Sequence, residues 1–149
     1  MSGADDAVPA NTAKPKILLV EDDRAIRALL LRLMLRAGYS VDAAVNGLEA
    51  IDHLSVATYD VILLDWMMPL AGGREVVAWM QANRGDAGKR CVIIVSAAGK
   101  RDLMDLDREH VFDVVLKPFE VADVMAAIVN CLTQSGVVSA LPVAESDRP

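Results

Sequence analysis

The sequence predicts a doubly wound α/β fold whose five-stranded parallel sheet has the strand order 2-1-3-4-5. Short apolar runs of strand length alternate along the chain with longer segments whose apolar residues recur at helical spacing. Because a helical segment follows each strand, the strands run parallel and carry helices on both faces of the sheet. Right-handed crossovers then make 2-1-3-4-5 the natural order, and ligands of such folds bind beyond the carboxyl ends of the strands.

Five runs have the length and composition of strands. The second of them, YSVDAA at residues 39–44, precedes an Asn46-Gly47 turn. The other four are Val, Ile and Leu-rich runs that read as buried strands, at residues 17–20, 61–64, 91–95 and 113–116.

Five segments have helical periodicity and fill the gaps between and after the strands. They are residues 24–37, 48–57, 73–83, 101–109 and 119–132. Gly38 is a natural stop for the first, and Asp23 is expected to cap its N-terminus. In the second, Leu48, Ile51 and Leu54 form one apolar side.

The composition is that of one compact globular domain and argues against two kinds of partner. The chain has 149 residues, of which 54% are hydrophobic and 24% charged. Its formal net charge of -6 argues against direct DNA or RNA binding, because phosphate backbones are bound by clustered basic residues. No apolar run approaches the ~18 residues of a membrane span, so we expect no membrane insertion.

The cysteines and the N-terminus predict a cytoplasmic protein. Cys91 and Cys131 lie in apolar segments and are expected to be reduced core residues, with a disulfide between them as the alternative. Residues 1–14 are rich in Ala, Asp and Pro, lack the apolar segment of a secretory signal and are expected to be disordered.

Polar side chains follow the strands that border the predicted crevice. Strand one runs into Glu21 and Asp22, strand three into Asp65, strand four into Ser96 and strand five into Lys117. Three converging carboxylates would repel one another unless a cation lies among them, and such an open set of oxygen ligands suits Mg²⁺. A lysine and a hydroxyl beside it suit phosphoryl oxygens, so the set favours phosphoryl transfer, in which an ionised aspartate can be the nucleophile.

Four motifs in this order resemble the signatures of receiver domains of two-component response regulators (CheY-like). They are LLVEDD, LLDWMMP with Gly73 following, VSA and LKPF, and VNGLEAI after the second strand is a further match. The resemblance covers about residues 15–133 and implies the flavodoxin-like (βα)5 fold.

The resemblance implies roles for individual residues. Asp65 would accept a phosphoryl group from a sensor histidine kinase or a histidine phosphotransfer protein. Asp22 would bind Mg²⁺ (or Mn²⁺) directly, Glu21 would hold it through water, and the backbone carbonyl of Met67 would complete the protein's share of ligands.

The fourth and fifth strands would supply the switch. Ser96 would move toward the phosphoryl group and Lys117 would pair with it, with a cis peptide bond before Pro118. Where many family members carry a rotating aromatic residue, this chain has Val114, which puts that coupling in doubt. Phe112 lies on the same strand face as Val114 and is a weak candidate for a substitute.

Two further positions are expected to set the lifetime of the phosphorylated state. In the family, the positions of Met67 and Ala98 tune the access of the hydrolytic water. Both residues are apolar here, so the resemblance predicts slow self-dephosphorylation.

The chain is predicted to be a stand-alone receiver, with residues 1–14 as an extension, 15–133 as the receiver and 134–149 as a tail too short for an effector domain. The last helix is apolar around much of its circumference, which suggests a surface for another protein or for a homodimer. Alternatively, the tail folds back over this helix or frays. Four arginines of the first helix form a basic stripe that is either a solvated face or a docking site for the donor protein: Arg24, Arg27, Arg32 and Arg36.

Other functions remain as alternatives. The receiver could act as a phosphate sink or shuttle in a phosphorelay rather than as a signalling switch. A haloacid-dehalogenase-like phosphatase also uses a strand-end aspartate and magnesium, but it requires a second aspartate where this chain has Met67. A pseudo-receiver that only binds partners is disfavoured by the intact set of acids, hydroxyl and lysine. His53 and His110 are isolated and are predicted to be surface residues rather than phosphodonors.

Overall fold

The fold is a five-stranded sheet in the order β2-β1-β3-β4-β5, and every strand pairs in parallel with its neighbours. The computed structural model describes residues 13–84, 91–97 and 111–137. The predicted fold class and strand order are confirmed. The predicted helix at residues 101–109, Ala98, His110 and most of both terminal segments lie outside the described residues.

The strands and helices lie close to their predicted positions. The strands are β1 (Lys16–Val20), β2 (Ser40–Ala44), β3 (Val61–Asp65), β4 (Cys91–Ser96) and β5 (Asp113–Leu116). The helices are α1 (Arg24–Arg36), α2 (Gly47–Val56), α3 (Gly73–Arg84) and α4 (Val121–Ser135). The last helix begins and ends later than predicted. It ends at Gly136, whose left-handed φ of 84° lets its N–H bond back to Leu132, so the glycine rather than the apolar pattern determines the end.

Two apolar layers cover the sheet, one on each face. Helices α2 and α3 pack on one face, and α1 and α4 pack on the other. Every residue of β3 and β4 is buried, which explains why these strands are continuous apolar runs instead of alternating ones. Of the three residues predicted to form one apolar side of α2, Leu54 is buried and Ile51 is half-buried. Leu48 is 53% exposed, because the buried side consists of Gly47, Ala50 and Leu54.

A disulfide joins the sheet to the last helix, which corrects the expectation of two reduced thiols. Cys91 at the start of β4 is bonded to Cys131 in α4, and both residues are buried. The packing of α4 on the sheet brings their Cα atoms to 5.8 Å, within the range that disulfides span. Their separation of 40 residues in the sequence gave no sign of this proximity.

Reducing this disulfide should lower the free energy of unfolding by about 2–4 kcal/mol, because the bond closes a long loop in the unfolded chain. Guanidinium denaturation followed by circular dichroism, with and without a phosphine reductant, measures the difference. The double variant C91A/C131A is the control, since its unfolding should not respond to the reductant. Two reactive thiols in the denatured, unreduced protein would contradict the disulfide.

Candidate functional site

The polar residues that follow the strands meet at one edge of the sheet, as parallel strands require. Asp65 ends β3 and Ser96 ends β4, while Glu21 and Lys117 directly follow β1 and β5. The strand register places Asp65 opposite Val95, next to Ser96, and pairs Ser96 with Leu116, next to Lys117. The carboxyl ends of four strands therefore bring these residues to one small region.

Lys117 connects the most distant of these positions. Its Nζ lies 3.1 Å from Oε1 of Glu21 and 3.1 Å from Oδ2 of Asp65. To reach them, the side chain extends from β5 past the end of β4, where the carbonyl of Ser96 accepts a hydrogen bond of 2.8 Å from the Lys117 N–H. Ser96 itself is fully buried. The peptide bond between Lys117 and Pro118 is cis, as the resemblance implies.

Three carboxylates converge beside this lysine. Oxygen atoms of Glu21, Asp22 and Asp65 all lie within 4.8 Å of one another. Glu21 and Asp65 are 2% and 3% exposed, whereas Asp22 is exposed and opens the group to solvent. One ammonium does not balance three carboxylates, and hard oxygen ligands at this spacing suit a small divalent cation. The donor set thus fits Mg²⁺ or Mn²⁺.

Burial and charge change the acidity of two of these groups. Burial and the neighbouring Glu21, outweighing the opposite influence of Lys117, raise the pKa of Asp65 to about 7. Burial alone would lower the pKa of Lys117, but its contacts with Glu21 and Asp65 outweigh this and raise the pKa above its usual range. Lys117 is therefore charged at neutral pH, while Asp65 is only partly ionised there.

Hydrogen bonds hold the loop between β1 and α1 on both sides of Glu21 and Asp22. The N–H of Glu21 bonds to the carbonyl of Ala44, and the N–H of Asp23 bonds to Oε2 of Glu21 at 3.0 Å. The predicted N-cap role of Asp23 is confirmed, because its Oδ1 accepts a 2.9 Å hydrogen bond from the N–H of Ile26. The path of the chain between β1 and α1 is thereby restricted.

Arg27 does not belong to the predicted surface stripe. Arg24, Arg32 and Arg36 are exposed, but Arg27 is half-buried and its Nη1 donates to the carbonyl oxygens of Glu21 and Asp22. Side chains on a helix lean toward its N-terminus, so an arginine one turn after the cap points back at the preceding loop. That spacing is the signal by which the sequence could have shown this contact.

A hydrogen bond to Asp65 and the close approach of Gly47 hold the loop after Asp65 in place. The N–H of Met67 donates to Oδ1 of Asp65 at 3.3 Å, while the Met67 side chain is 58% exposed. The N–H of Gly47 bonds to the carbonyl of Ala71 at 2.9 Å, and a Cβ on Gly47 would collide with that carbonyl. The glycine of the VNGLEAI motif therefore permits the β2–α2 turn to support the loop that follows Asp65.

The predicted output residues lie away from this group. Val114 in β5 is half-buried against the apolar layer under α2 and α3. Phe112 is 36% exposed, and its N–H donates to the carbonyl of Val92 at 2.7 Å. Their roles in switching stay predictions, as does the role of Ala98 in the access of the hydrolytic water.

Without divalent cations, the protein should lose stability as the pH rises from about 4 through about 7. The pKa of Asp65 is raised in the folded protein relative to the unfolded chain, so the folded state binds more protons in this window. The stabilisation is complete below the unfolded pKa and is lost as Asp65 ionises. Urea denaturation in EDTA across this pH range measures it.

The variant Asp65→Asn is the control for that pH dependence. An amide does not ionise, so the variant should lack this loss and should be more stable than the wild type above about pH 7. Parallel stability profiles for the two proteins would show that Asp65 does not titrate in this window.

The chain matches one protein family over most of its length. The family model of the response regulator receiver domain matches residues 17–129. None of the helices in the described ranges has the length and apolarity needed to cross a bilayer.

Relatives and solved structures agree with this match. Sporulation initiation phosphotransferase F of Bacillus subtilis is 33% identical over 114 residues, which cover 76% of this chain and 90% of that protein. Transcriptional regulatory protein ResD of the same organism is 33% identical over 133 residues, 86% of this chain but 52% of ResD. The chain thus spans about half the length of that regulator.

A structure in a ligand-bound state has the same fold. The response regulator protein TrrA from Thermotoga maritima, in complex with Mg²⁺ and BeF, superposes with a TM-score of 0.69 at 29% identity. The match covers 79% of this chain and 99% of that one. The family model, these relatives and the strand order together show that the chain belongs to the receiver-domain family of response regulators.

Proposed function

We propose that this receiver domain accepts a phosphoryl group on Asp65 from a sensor histidine kinase or a histidine phosphotransfer protein. The modification changes the protein's contacts with a downstream protein. The observation that carries the proposal is the convergence of Lys117 Nζ, at 3.1 Å, on Asp65 and Glu21 inside a group of three carboxylates. A nucleophilic carboxylate, a fixed ammonium and a cation site are the components that phosphoryl transfer needs.

The reaction would begin with an ionised Asp65. Its carboxylate oxygen attacks the phosphorus atom as the bond from phosphorus to the donor's imidazole nitrogen breaks, and the electron pair stays on that nitrogen. Lys117 is charged and already bonded to Asp65, so it can neutralise a phosphoryl oxygen without reorganisation. The hydroxyl of Ser96, one residue past the strand partner of Asp65, is the proposed second ligand of the phosphoryl group.

The acids would hold the cation. Exposed Asp22 is the proposed direct ligand together with Asp65, buried Glu21 acts through water, and the Met67 carbonyl completes the protein's ligands. A bound Mg²⁺ supplies positive charge for the transferring phosphoryl oxygens. Burial and the neighbouring Glu21 raise the pKa of Asp65, and a bound cation would offset both by favouring the ionised carboxylate.

Output would proceed from Ser96 toward the edge of the sheet. Val114 carries no ring that could alternate between buried and exposed positions, so movement of Ser96 is not transmitted by an aromatic side chain at that position. Phe112 is the candidate for a substitute. Several residues of α4 are apolar and exposed, and this face is the proposed contact surface for a partner or a second copy: Ala122, Ala126 and Val129.

The organisation of the whole protein belongs to the same proposal. The receiver is proposed to span residues 15–133 and to act in the cytoplasm, without direct DNA binding or membrane insertion. Family membership supports that location, whereas the cysteines no longer do because they are paired. The catalysis is limited to the domain's own phosphorylation and dephosphorylation.

A phosphate shuttle is the second candidate function. The observation in its favour is the similarity to sporulation initiation phosphotransferase F, because the match covers 90% of that protein's length. A shuttle would return the phosphoryl group from Asp65 to a histidine, whereas a switch would keep it and change its protein contacts.

Incubation with acetyl phosphate and Mg²⁺ should add one phosphoryl group, because Asp65 combines an attacking oxygen with a charged lysine. Intact-protein mass spectrometry measures the addition, and beryllofluoride should bind with saturation as a stable mimic. Asp65→Asn should abolish both effects. The matched control Asp52→Asn, an exposed acid on α2, should behave like the wild type.

The outcomes separate the competing functions. Modification that persists in Asp65→Asn, or its absence from the wild type, would refute the proposal. Continuous release of phosphate from a phosphomonoester, with no stable adduct, would indicate a phosphatase of the haloacid-dehalogenase type instead.

The phosphorylated protein should lose its phosphoryl group slowly. Among the described residues, the exposed side chain of Met67 supports this prediction, because it offers no polar group to position a water molecule. Phosphorylated protein, freed of donor by rapid desalting and kept with Mg²⁺, should be followed by mass over time. A lifetime of only seconds would show that another group activates water.

A further inference from the structure

Arg27 makes two hydrogen bonds that a surface arginine would not make. Its Nη1 lies 2.9 Å from the carbonyl oxygen of Glu21 and 3.3 Å from that of Asp22. One guanidinium nitrogen carries two hydrogens, so it can serve both acceptors at the same time. The side chain thus reaches from the first turns of α1 back to the two residues that carry two of the three converging carboxylates.

These bonds restrain the two peptide units that follow Glu21 and Asp22, the second of which is also held through the N–H of Asp23. The N–H of Glu21 is bonded to Ala44, and the N–H of Asp23 is bonded to the Glu21 side chain. Rotation of the peptide units between them would swing the exposed Asp22 carboxylate away from Asp65. The carbonyl oxygens that such a rotation would move are the two that Arg27 holds.

The charge of Arg27 acts in the same direction. A guanidinium does not lose its proton in proteins, so Arg27 places a permanent positive charge beside the main chain of Glu21 and Asp22. Hydrogen bonds from a charged donor are stronger than those between neutral groups. The loop is therefore kept in place even when the three carboxylates repel one another.

We propose that Arg27 is a positioning residue of the cation site, and this inference rests on the proposed binding of Mg²⁺ at Glu21, Asp22 and Asp65. Arg27 makes no contact with the cation. It sets the cation affinity by holding the backbone of Glu21 and Asp22 where their carboxylates converge on Asp65.

The test is a Mg²⁺ titration of Arg27 variants, followed by tryptophan fluorescence. Trp66 directly follows Asp65 and is buried, so its emission should report on ligand binding at that carboxylate. Arg27→Gln should raise the Kd for Mg²⁺ by about ten- to a hundred-fold, the usual effect of removing a group that orients metal ligands. Arg27→Lys, which keeps the charge but not the two-hydrogen geometry of the guanidinium, should recover part of the loss.

Arg24→Gln and Arg32→Gln are matched controls, because both arginines lie exposed on the same helix. They remove the same charge and should leave the Kd within about two-fold of the wild type. An equal loss of affinity in all three Gln variants would reduce the effect to net charge and overturn the proposal.

Urea unfolding in EDTA separates positioning from folding. The proposal requires that weaker Mg²⁺ binding by Arg27→Gln persists where the variant is fully folded. A loss that matches the unfolded fraction, or a Kd within two-fold of the wild type, would overturn it. Wild-type protein that binds no Mg²⁺ would instead refute the cation site of the proposed function, and the inference would fail with it.

Discussion

The ammonium of Lys117 is the contact on which the rest of the site depends. Glu21 and Asp65 are both almost fully buried, and two buried carboxylates within a few ångströms cannot both ionise without a cation beside them. Lys117 lies 3.1 Å from each of them and thereby joins the end of β5 to the ends of β1 and β3, neither of which is next to β5 in the sheet. The strand order makes this possible, because β3 lies between β1 and β4 and a long side chain from β5 can reach across.

Lys117 neutralises only part of the negative charge of the three carboxylates. Burial, together with the neighbouring Glu21, raises the pKa of Asp65 to about 7, and the single ammonium of Lys117 does not outweigh them. A second cation, whether a proton or a metal ion, is then favoured at the same place. The charge deficit that makes the folded chain less stable at neutral pH is also what would give the site its affinity for Mg²⁺.

Much of this could be predicted from the sequence, because strand ends are visible in it. Buried strands of a parallel sheet are continuous apolar runs, so a polar residue at the end of each run is conspicuous, as Asp65 is. Contacts that depend on packing could not be predicted in the same way. The Cys91–Cys131 disulfide depends on where α4 lies on the sheet, and the exposure of Leu48 depends on how α2 packs. Arg27 was misassigned because the helical pattern was used only to find its face, whereas its position one turn after the cap indicates that the side chain reaches back past the helix end.

The backbone of the loop that follows Asp65 is strained, and this strain limits the conformations that the surrounding chain can adopt. Leu70 and Ala71 have φ values of 54° and 73°, a left-handed backbone that non-glycine residues adopt at a cost. The N–H of Gly47 holds the carbonyl of Ala71, so the strained loop is tied to the start of α2. Repulsion among the acids and strain in the adjoining loop both oppose folding, and the two buried apolar layers and the disulfide must offset them. Within the described residues, strained backbone and mutually repelling carboxylates thus lie together at the carboxyl edge of the sheet, where an added charge would shift the balance between two arrangements.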